Sequence, residues 1–230
     1  MNYFTFDGVD SRTYNTYIAT SNMFDGAEED VEAINIPGSN RIIYLSNGTF
    51  KPFTIKAFCY IPSDMQNKVD ALRSYLKSLN EPCRYIEALK PTEYRVARYI
   101  DAFEIDNSDR KGATFELTFL SRPERFLTSG DEVTTLTSNG TINNPTLFNS
   151  KPLLRVYGNG TLTIGDYTIT TTNNSTSMYI DCDTMQCYSG STNKNNDVTV
   201  DEFPQLTPGS NSITLSGITQ VDITGRWFNI

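Results

Sequence analysis

Ser63-Asp64-Met65-Gln66-Asn67-Lys68-Val69-Asp70-Ala71-Leu72-Arg73-Ser74-Tyr75-Leu76-Lys77-Ser78-Leu79 is the stretch on which the reading of the whole chain turns. Met65, Val69, Leu72, Leu76 and Leu79 recur at spacings of four and three, which puts them on one stripe of an α-helix. Ser63, followed three residues later by Gln66, predicts a capping box at its start. Glu81-Pro82 predicts its stop, because proline cannot continue the hydrogen-bond ladder. The segment therefore reads as an amphipathic helix laid on a sheet.

Outward from this helix the chain reads as strand. Arg41-Ile42-Ile43-Tyr44-Leu45 leads to Asn47-Gly48, a hairpin signal, and then to a strand over Phe50 to Tyr60. A long strand is expected over Tyr94 to Ile105. Phe115, Leu117 and Phe119 alternate with Glu116 and Thr118, the pattern of a strand with one wet face. Short strands follow at Leu153–Tyr157, Leu162–Ile164, Tyr167–Ile169, Met178–Ile180, Ile213–Leu215 and Val221–Ile223. Gly158-Asn159-Gly160, Gly165-Asp166 and Pro208-Gly209 punctuate them. The expected fold is mainly β: an α+β first domain with one amphipathic helix on antiparallel sheets, then an antiparallel β-sandwich.

Composition supports a division. Residues 1–130 hold 29 Ser, Thr and Asn residues and the shorter stretch 131–230 holds 40. Two domains, 1–130 and 131–230, are expected, with the boundary near residue 125 to 135. At 230 residues the chain can bury a proper core in each.

The chain has no histidine, 4 cysteines and a net charge of -8. Without histidine there is no Ser-His-Asp or Cys-His relay and no imidazole-ligated zinc or haem. The acidic balance argues against nucleic acid as the main partner. No apolar run approaches a membrane span, and Met1-Asn2-Tyr3-Phe4-Thr5 lacks the start of a signal peptide, so a soluble, unsecreted protein without catalytic residues, cofactor or metal is expected. Cys59 and Cys83 read as packing thiols. Cys182 and Cys187 span a possible hairpin turn, where free thiols are expected and a disulfide is the alternative. Glu28-Glu29-Asp30-Val31-Glu32 reads as a solvated loop or arm leading into a strand, and Asp181-Cys182-Asp183 as an incomplete fragment of a calcium loop. Trp227 has two readings: an anchor closing the last strand, or a platform stacking on a sugar ring.

The order of several motifs resembles the distal tail protein (Dit) family of phages with long, non-contractile tails. Tyr3-Phe4-Thr5-Phe6-Asp7-Gly8 is similar to the family's aromatic start, and Ile36-Pro37-Gly38-Ser39-Asn40 to its Pro-Gly turn, with Ser39 where many members have Arg. The helix with Glu81-Pro82-Cys83-Arg84-Tyr85, and then Tyr94-Arg95-Val96-Ala97 and Arg122-Pro123-Glu124-Arg125-Phe126, continue the match through the first domain. Lys151-Pro152-Leu153-Leu154-Arg155-Val156-Tyr157, Phe203-Pro204-Gln205 and Arg226-Trp227 carry it to the end.

The resemblance implies a ring of six copies at the virion's tail tip, assembled in the host bacterial cytoplasm and built by the N-terminal domain. Its implied partners are the tail tube protein, a tail-associated lysin or central spike, and receptor-binding proteins. DNA only passes through, and no membrane is involved. The second domain is implied to be a galectin-like or carbohydrate-binding-module-like sandwich.

Ring closure needs two different complementary patches on each subunit. Glu32, Ile34, Ile36, Pro37, Gly38 and Asn40 are the expected ring contacts, since this stretch mixes acidic and apolar positions as an arm would; a purely intramolecular hairpin is the alternative. The alternative function is a carbohydrate-binding module or receptor-binding adhesin, with Trp227 stacking on host glycans. A galectin-type site usually also needs the histidine this chain lacks.

Overall fold

A computed structural model describes residues 1–105, 107–108 and 112–230, apart from the side chains of Met65, Asn107 and Ser108. It forms two compact units, Met1–Arg125 together with Ile230, and Phe126–Asn229.

The first unit runs β1 (Phe4–Phe6), β2 (Val9–Asp10), β3 (Tyr17–Ser21), β4 (Glu29–Asn35), β5 (Ile42–Phe50), β6 (Phe53–Ile61), α1 (Met65–Ser78), β7 (Cys83–Glu87), β8 (Glu93–Tyr99), β9 (Asn107–Ser108) and β10 (Ala113–Ser121). Its main sheet is antiparallel in the order β2-β1-β7-β8-β10-β6-β3. A bridge between Asn2 and Ile18 brings the residue before Tyr3 against β3, so the sheet curls around its core. Phe115, Leu117 and Phe119 are fully buried along β10, as their alternation predicts. Phe119 sits among Phe6, Tyr85 and Tyr99 with ring centroids 5.1, 5.0 and 5.5 Å away. Such edge and tilted contacts add to the area each ring removes from water.

The helix lies where its period places it. Val69, Leu72 and Leu76 are buried in the same cluster as the sheet residues, and the Tyr75 hydroxyl donates to the Phe6 carbonyl at 2.5 Å. The Met65 side chain, expected on this stripe, lies outside the described residues. The expected capping box does not form. Asp64, not Ser63, occupies the cap position, with φ 55° and no side-chain bond to the first turn. Ser63 instead accepts from the Asn15 side chain through its carbonyl and hydroxyl, at 2.9 and 3.1 Å. A tertiary partner has taken the group that the local motif would have used.

Two strand expectations are corrected. Asn47-Gly48 is not a hairpin turn but the centre of a bulge inside β5. Glu29 pairs with Phe50 while Val31 pairs with Ser46, so three residues of β5 face one of β4. Gly48 at φ 68° supplies the left-handed conformation the bulge needs. The strand expected over Tyr94 to Ile105 ends at Tyr99. Phe103 turns the chain at φ 65° and buries its ring beside Phe115.

The second unit continues with β11 (Arg125–Leu127, its first residue still in unit one), β12 (Val133–Leu136), β13 (Gly140–Asn144), β14 (Leu153–Tyr157), β15 (Gly160–Ile164), β16 (Tyr167–Thr171), β17 (Met178–Asp181), β18 (Gln186–Ser189), β19 (Thr192–Asn193), β20 (Val198–Val200), β21 (Gly209–Ser216), β22 (Gln220–Thr224) and β23 (Phe228–Asn229). A six-stranded sheet, β12-β22-β14-β17-β18-β19, and a five-stranded sheet, β13-β21-β15-β16-β20, share one apolar cluster. Leu154, Val156, Ile180, Val221 and Ile223 come from the first, and Leu162, Ile164, Ile169 and Ile213 from the second. The six short strands expected in this half all form. The protein is mainly β with one α-helix among the described residues.

Candidate functional site: an exposed two-stranded arm

Among the described residues, strands β4 and β5 pair only with each other, as a ribbon separate from the main sheet. Its tip is the turn Ile36-Pro37-Gly38-Ser39, closed by the Ser39 amide on the Ile36 carbonyl at 3.1 Å. Proline at the second position and Gly38 at φ 77° at the third are the residues a type II turn demands. Near the base, Ser46 donates to Glu29 at 2.5 Å, Asn47 to Asp30 at 2.9 Å, and Lys51 reaches Glu28 at 3.2 Å. The acidic run thus forms the first strand of the arm and is tied to the second, rather than forming a loop before it.

Opposed residues in this antiparallel ribbon share a face. Val31, Ala33, Tyr44 and Ile42 line one face, and Ile34, Ile43 and Leu45 with Glu32 line the other. All are accessible: Ile34 is 39% exposed, Ile43 47%, Leu45 49% and Tyr44 67%. Of the residues singled out from sequence, Glu32 and Ile34 fall on β4, and Ile36, Pro37, Gly38 and Asn40 at or beside the tip turn. The structure brings all six onto one projecting element. Sequence reasoning missed Ile42, Ile43, Tyr44 and Leu45, which carry the largest apolar area of the arm. Their signal was available: four consecutive apolar residues do not suit a strand with one wet face.

Trp227, by contrast, is 7% exposed and belongs to the core of the second unit, with its carbonyl accepting from the Leu127 amide at 2.8 Å. Little of the indole is therefore accessible, although Trp227 contributes to the lining of a cleft of about 320 Å³ with Ser129, Glu132, Thr134 and Asn143. All four cysteines are free. Burial pushes the Cys187 thiol up to about 11 and raises those of Cys59 and Cys182 as well, which makes them poor nucleophiles near neutral pH.

The Asp181 carboxylate is taken up by partners within the fold. It takes two bonds from the Arg226 guanidinium, at 2.7 and 3.1 Å, and one from the Asp183 amide at 3.0 Å. Among the described residues no cluster of three metal-ligating side chains occurs.

Two buried carboxylates were not visible in the sequence. Glu87 accepts from Ser21, Tyr85 and Asn2 at 2.5, 3.0 and 3.2 Å, and Glu93 pairs with Arg125 at 2.8 Å. Both are committed to structural partners. A cleft of about 440 Å³ in the second unit includes Asp166, Tyr167, Asp201 and Glu202 in its lining. The Asn211 amide beside it is already spent on the carbonyls of Thr207 and Gly209.

The architecture is a curled antiparallel sheet with one helix and a separate two-stranded ribbon in the first unit, and a two-sheet sandwich in the second. The crystal structure of the SPP1 Dit (gp 19.1) protein, described as a paradigm of the hub adsorption apparatus in Gram-positive infecting phages, matches with a TM-score of 0.74 and 11% identity, over the whole of both chains. The phage P2 baseplate in its activated conformation with Ca matches with a TM-score of 0.54 and 10% identity, over 97% of each chain. At these identities the likeness is one of fold, the same fold the sequence motifs resemble. No protein-family model matches the sequence, and no curated protein does.

Proposed function

We propose that this chain is a structural, non-enzymatic component of a phage tail tip, a ring-forming adaptor that joins the tail tube to the proteins of the tip. The observation that carries this reading is the β4–β5 arm, whose two faces are both apolar and both exposed. A two-stranded ribbon is marginal in water by itself, and exposed apolar ribbons signal a partner. The full-length likeness to SPP1 Dit supplies the setting.

A closed heterologous ring needs a second, different patch. The outward face of the main sheet offers one, with Phe58 on β6 and Leu120 on β10 exposed by 38% and 45%, and Ile100 just beyond β8 by 51%. In this reading the arm of one copy lies on that face of the next, six copies close the ring, and the acidic balance keeps passing DNA from sticking. The tail tube protein, a lysin or spike, and receptor-binding proteins are the further partners, and the virion tail tip is the location. The buried Trp227 weighs against the glycan-binding alternative.

Native mass spectrometry over a range of concentrations tests the reading. A hexamer, or strongly concentration-dependent assembly lost on Ile43→Ser with Leu45→Ser, is the expected result. A strict monomer at every concentration, even with tail tube protein added, overturns it.

A further inference from the structure

We infer that Arg95 is the positioning residue of the arm, a buried guanidinium that grips both of its legs where they leave the main sheet. This rests on the reading of the arm as the assembly element.

Arg95 lies on β8, one of the strands of the main sheet, and is fully buried. Nε donates to the Met23 carbonyl at 2.9 Å and one terminal nitrogen to the Asp25 carbonyl at 2.6 Å. Both carbonyls belong to the chain entering the arm, a few residues before β4. The other terminal nitrogen donates to the Pro123 carbonyl at 2.7 Å. The guanidinium plane lies 3.9 Å from the ring centroid of Phe53, the first residue of β6, where the chain has just left the arm. One side chain thus binds the incoming leg through its edge and the outgoing leg through its face.

Burial, followed by the nearby Arg125 charge, pulls the guanidinium down to about 10, so it stays charged at neutral pH. A buried charge is normally matched by a carboxylate. Among the described residues, those bonded to Arg95 present main-chain oxygens, which fix backbone positions, while the Asp25, Glu93 and Glu124 carboxylates favour its charge from farther off.

Neighbouring groups extend the clamp. Arg125 donates to the Phe24 carbonyl between the two carbonyls that Arg95 holds, and is itself held by Glu93 at 2.8 Å. The Asn22 side chain donates to the Thr54 carbonyl at 3.1 Å and accepts from the Lys56 amide at 2.8 Å, which lashes the incoming leg to β6. Above this root the ribbon is held by its β4–β5 ladder and by the bonds of Ser46, Asn47 and Lys51 to Glu29, Asp30 and Glu28. Its direction is therefore set at residues 22–25 and 53–56, and Arg95 is the group that touches both sides.

The experiment is amide hydrogen exchange on the full chain, comparing the wild type with Arg95→Lys. Lysine keeps the charge but cannot span three divergent carbonyls or stack its charge as a plane. Exchange is expected to rise about 10- to 100-fold at the arm root, where the amides of Asp25, Lys51 and Lys56 are bonded, with β10 and the second unit unchanged. Unchanged root exchange, or an equal rise throughout the first unit, overturns the inference. Should Arg95→Lys fail to fold, Phe53→Leu removes the stacking partner while keeping apolar volume. It is expected to raise exchange at the same root amides by a smaller factor, and no change there overturns the inference.

Assembly is read separately. The concentration at which half of the Arg95→Lys chains assemble should rise at least about 10-fold, the factor set by the lost charge-assisted bonds. A wild type that never assembles defeats the ring reading, while the exchange comparison still decides the role of Arg95.

Discussion

Strands β5 and β6 are consecutive, equally long at 9 residues, and similarly rich in β-branched and aromatic side chains. Yet Ile55, Ala57, Cys59 and Ile61 of β6 are buried, whereas Ile42, Ile43, Tyr44 and Leu45 of β5 are all exposed. Propensity does not separate them; neighbours do. β6 lies between β3 and β10 with one face on the core, and its burial alternates accordingly. Among the described residues β5 pairs with β4 alone, and Ile42, Ile43, Tyr44 and Leu45 stay exposed on both faces of the ribbon. Strand propensity is better described as fitness for a half-buried pleated surface than as a property of the backbone, and the arm shows such a surface still waiting for its other half.

The contrast predicts opposite consequences for similar truncations. The largest effect is expected in the sheet: Phe119→Ala removes a ring packed against four other aromatics and should cost about 3–5 kcal/mol in urea denaturation. A loss below about 1 kcal/mol would show that the aromatic core tightens around the gap.

An intermediate case is charge held at two depths. The Lys51–Glu28 pair in the arm is mostly exposed, and removing it should barely register. The Arg226–Asp181 pair is mostly enclosed, and Arg226→Ala should cost about 2 kcal/mol by leaving Asp181 short of its charged donors. Burial alone would raise Asp181. The Arg226 guanidinium and the amides of Asp183 and Thr184 outweigh it and hold the carboxyl below its ordinary value. Its contribution is therefore present above the unfolded value of about 3.9, and is lost as pH falls through the lower folded value. Denaturation curves from pH 7 downward should show the gap between wild type and Arg226→Ala narrowing below about pH 4. A gap constant across that range would mean that packing, not charge, is what Arg226 supplies.

The smallest effect on stability, and the one that most sharpens the comparison, is expected in the arm. Tyr44→Ser should leave the denaturation midpoint of dilute, unassembled protein within about 0.5 kcal/mol of wild type, because the ring it removes is in water. Light scattering at high concentration should nevertheless record weaker assembly. A substantial loss of monomer stability would place Tyr44 in a core the structure does not show.

Much of the fold was legible along the chain. The helix stripe of Val69, Leu72 and Leu76, the alternation of Phe115, Leu117 and Phe119, and the short strands of the sandwich follow from periods of 3.6 and 2 that survive into the structure. The missing capping box at Ser63 and the bulge at Asn47-Gly48 did not follow. In each case a partner distant in sequence, Asn15 or β4, took up the group that a local motif would have used.

For the candidate site, the residues from Glu32 to Asn40 drew notice because acidic positions mix there with Ile34 and Ile36, the pattern expected of an arm. What only the tertiary structure decided is that Ile42 to Leu45 complete it, that Trp227 is buried, and that Arg95 lies fully enclosed at the arm's root. Periodicity is a property of neighbours along the chain, so the sequence could state it. Whether an apolar face finds a partner, and which carbonyls converge on a buried guanidinium, depends on segments 28 and 72 residues apart meeting in space, and only the folded chain brings them together.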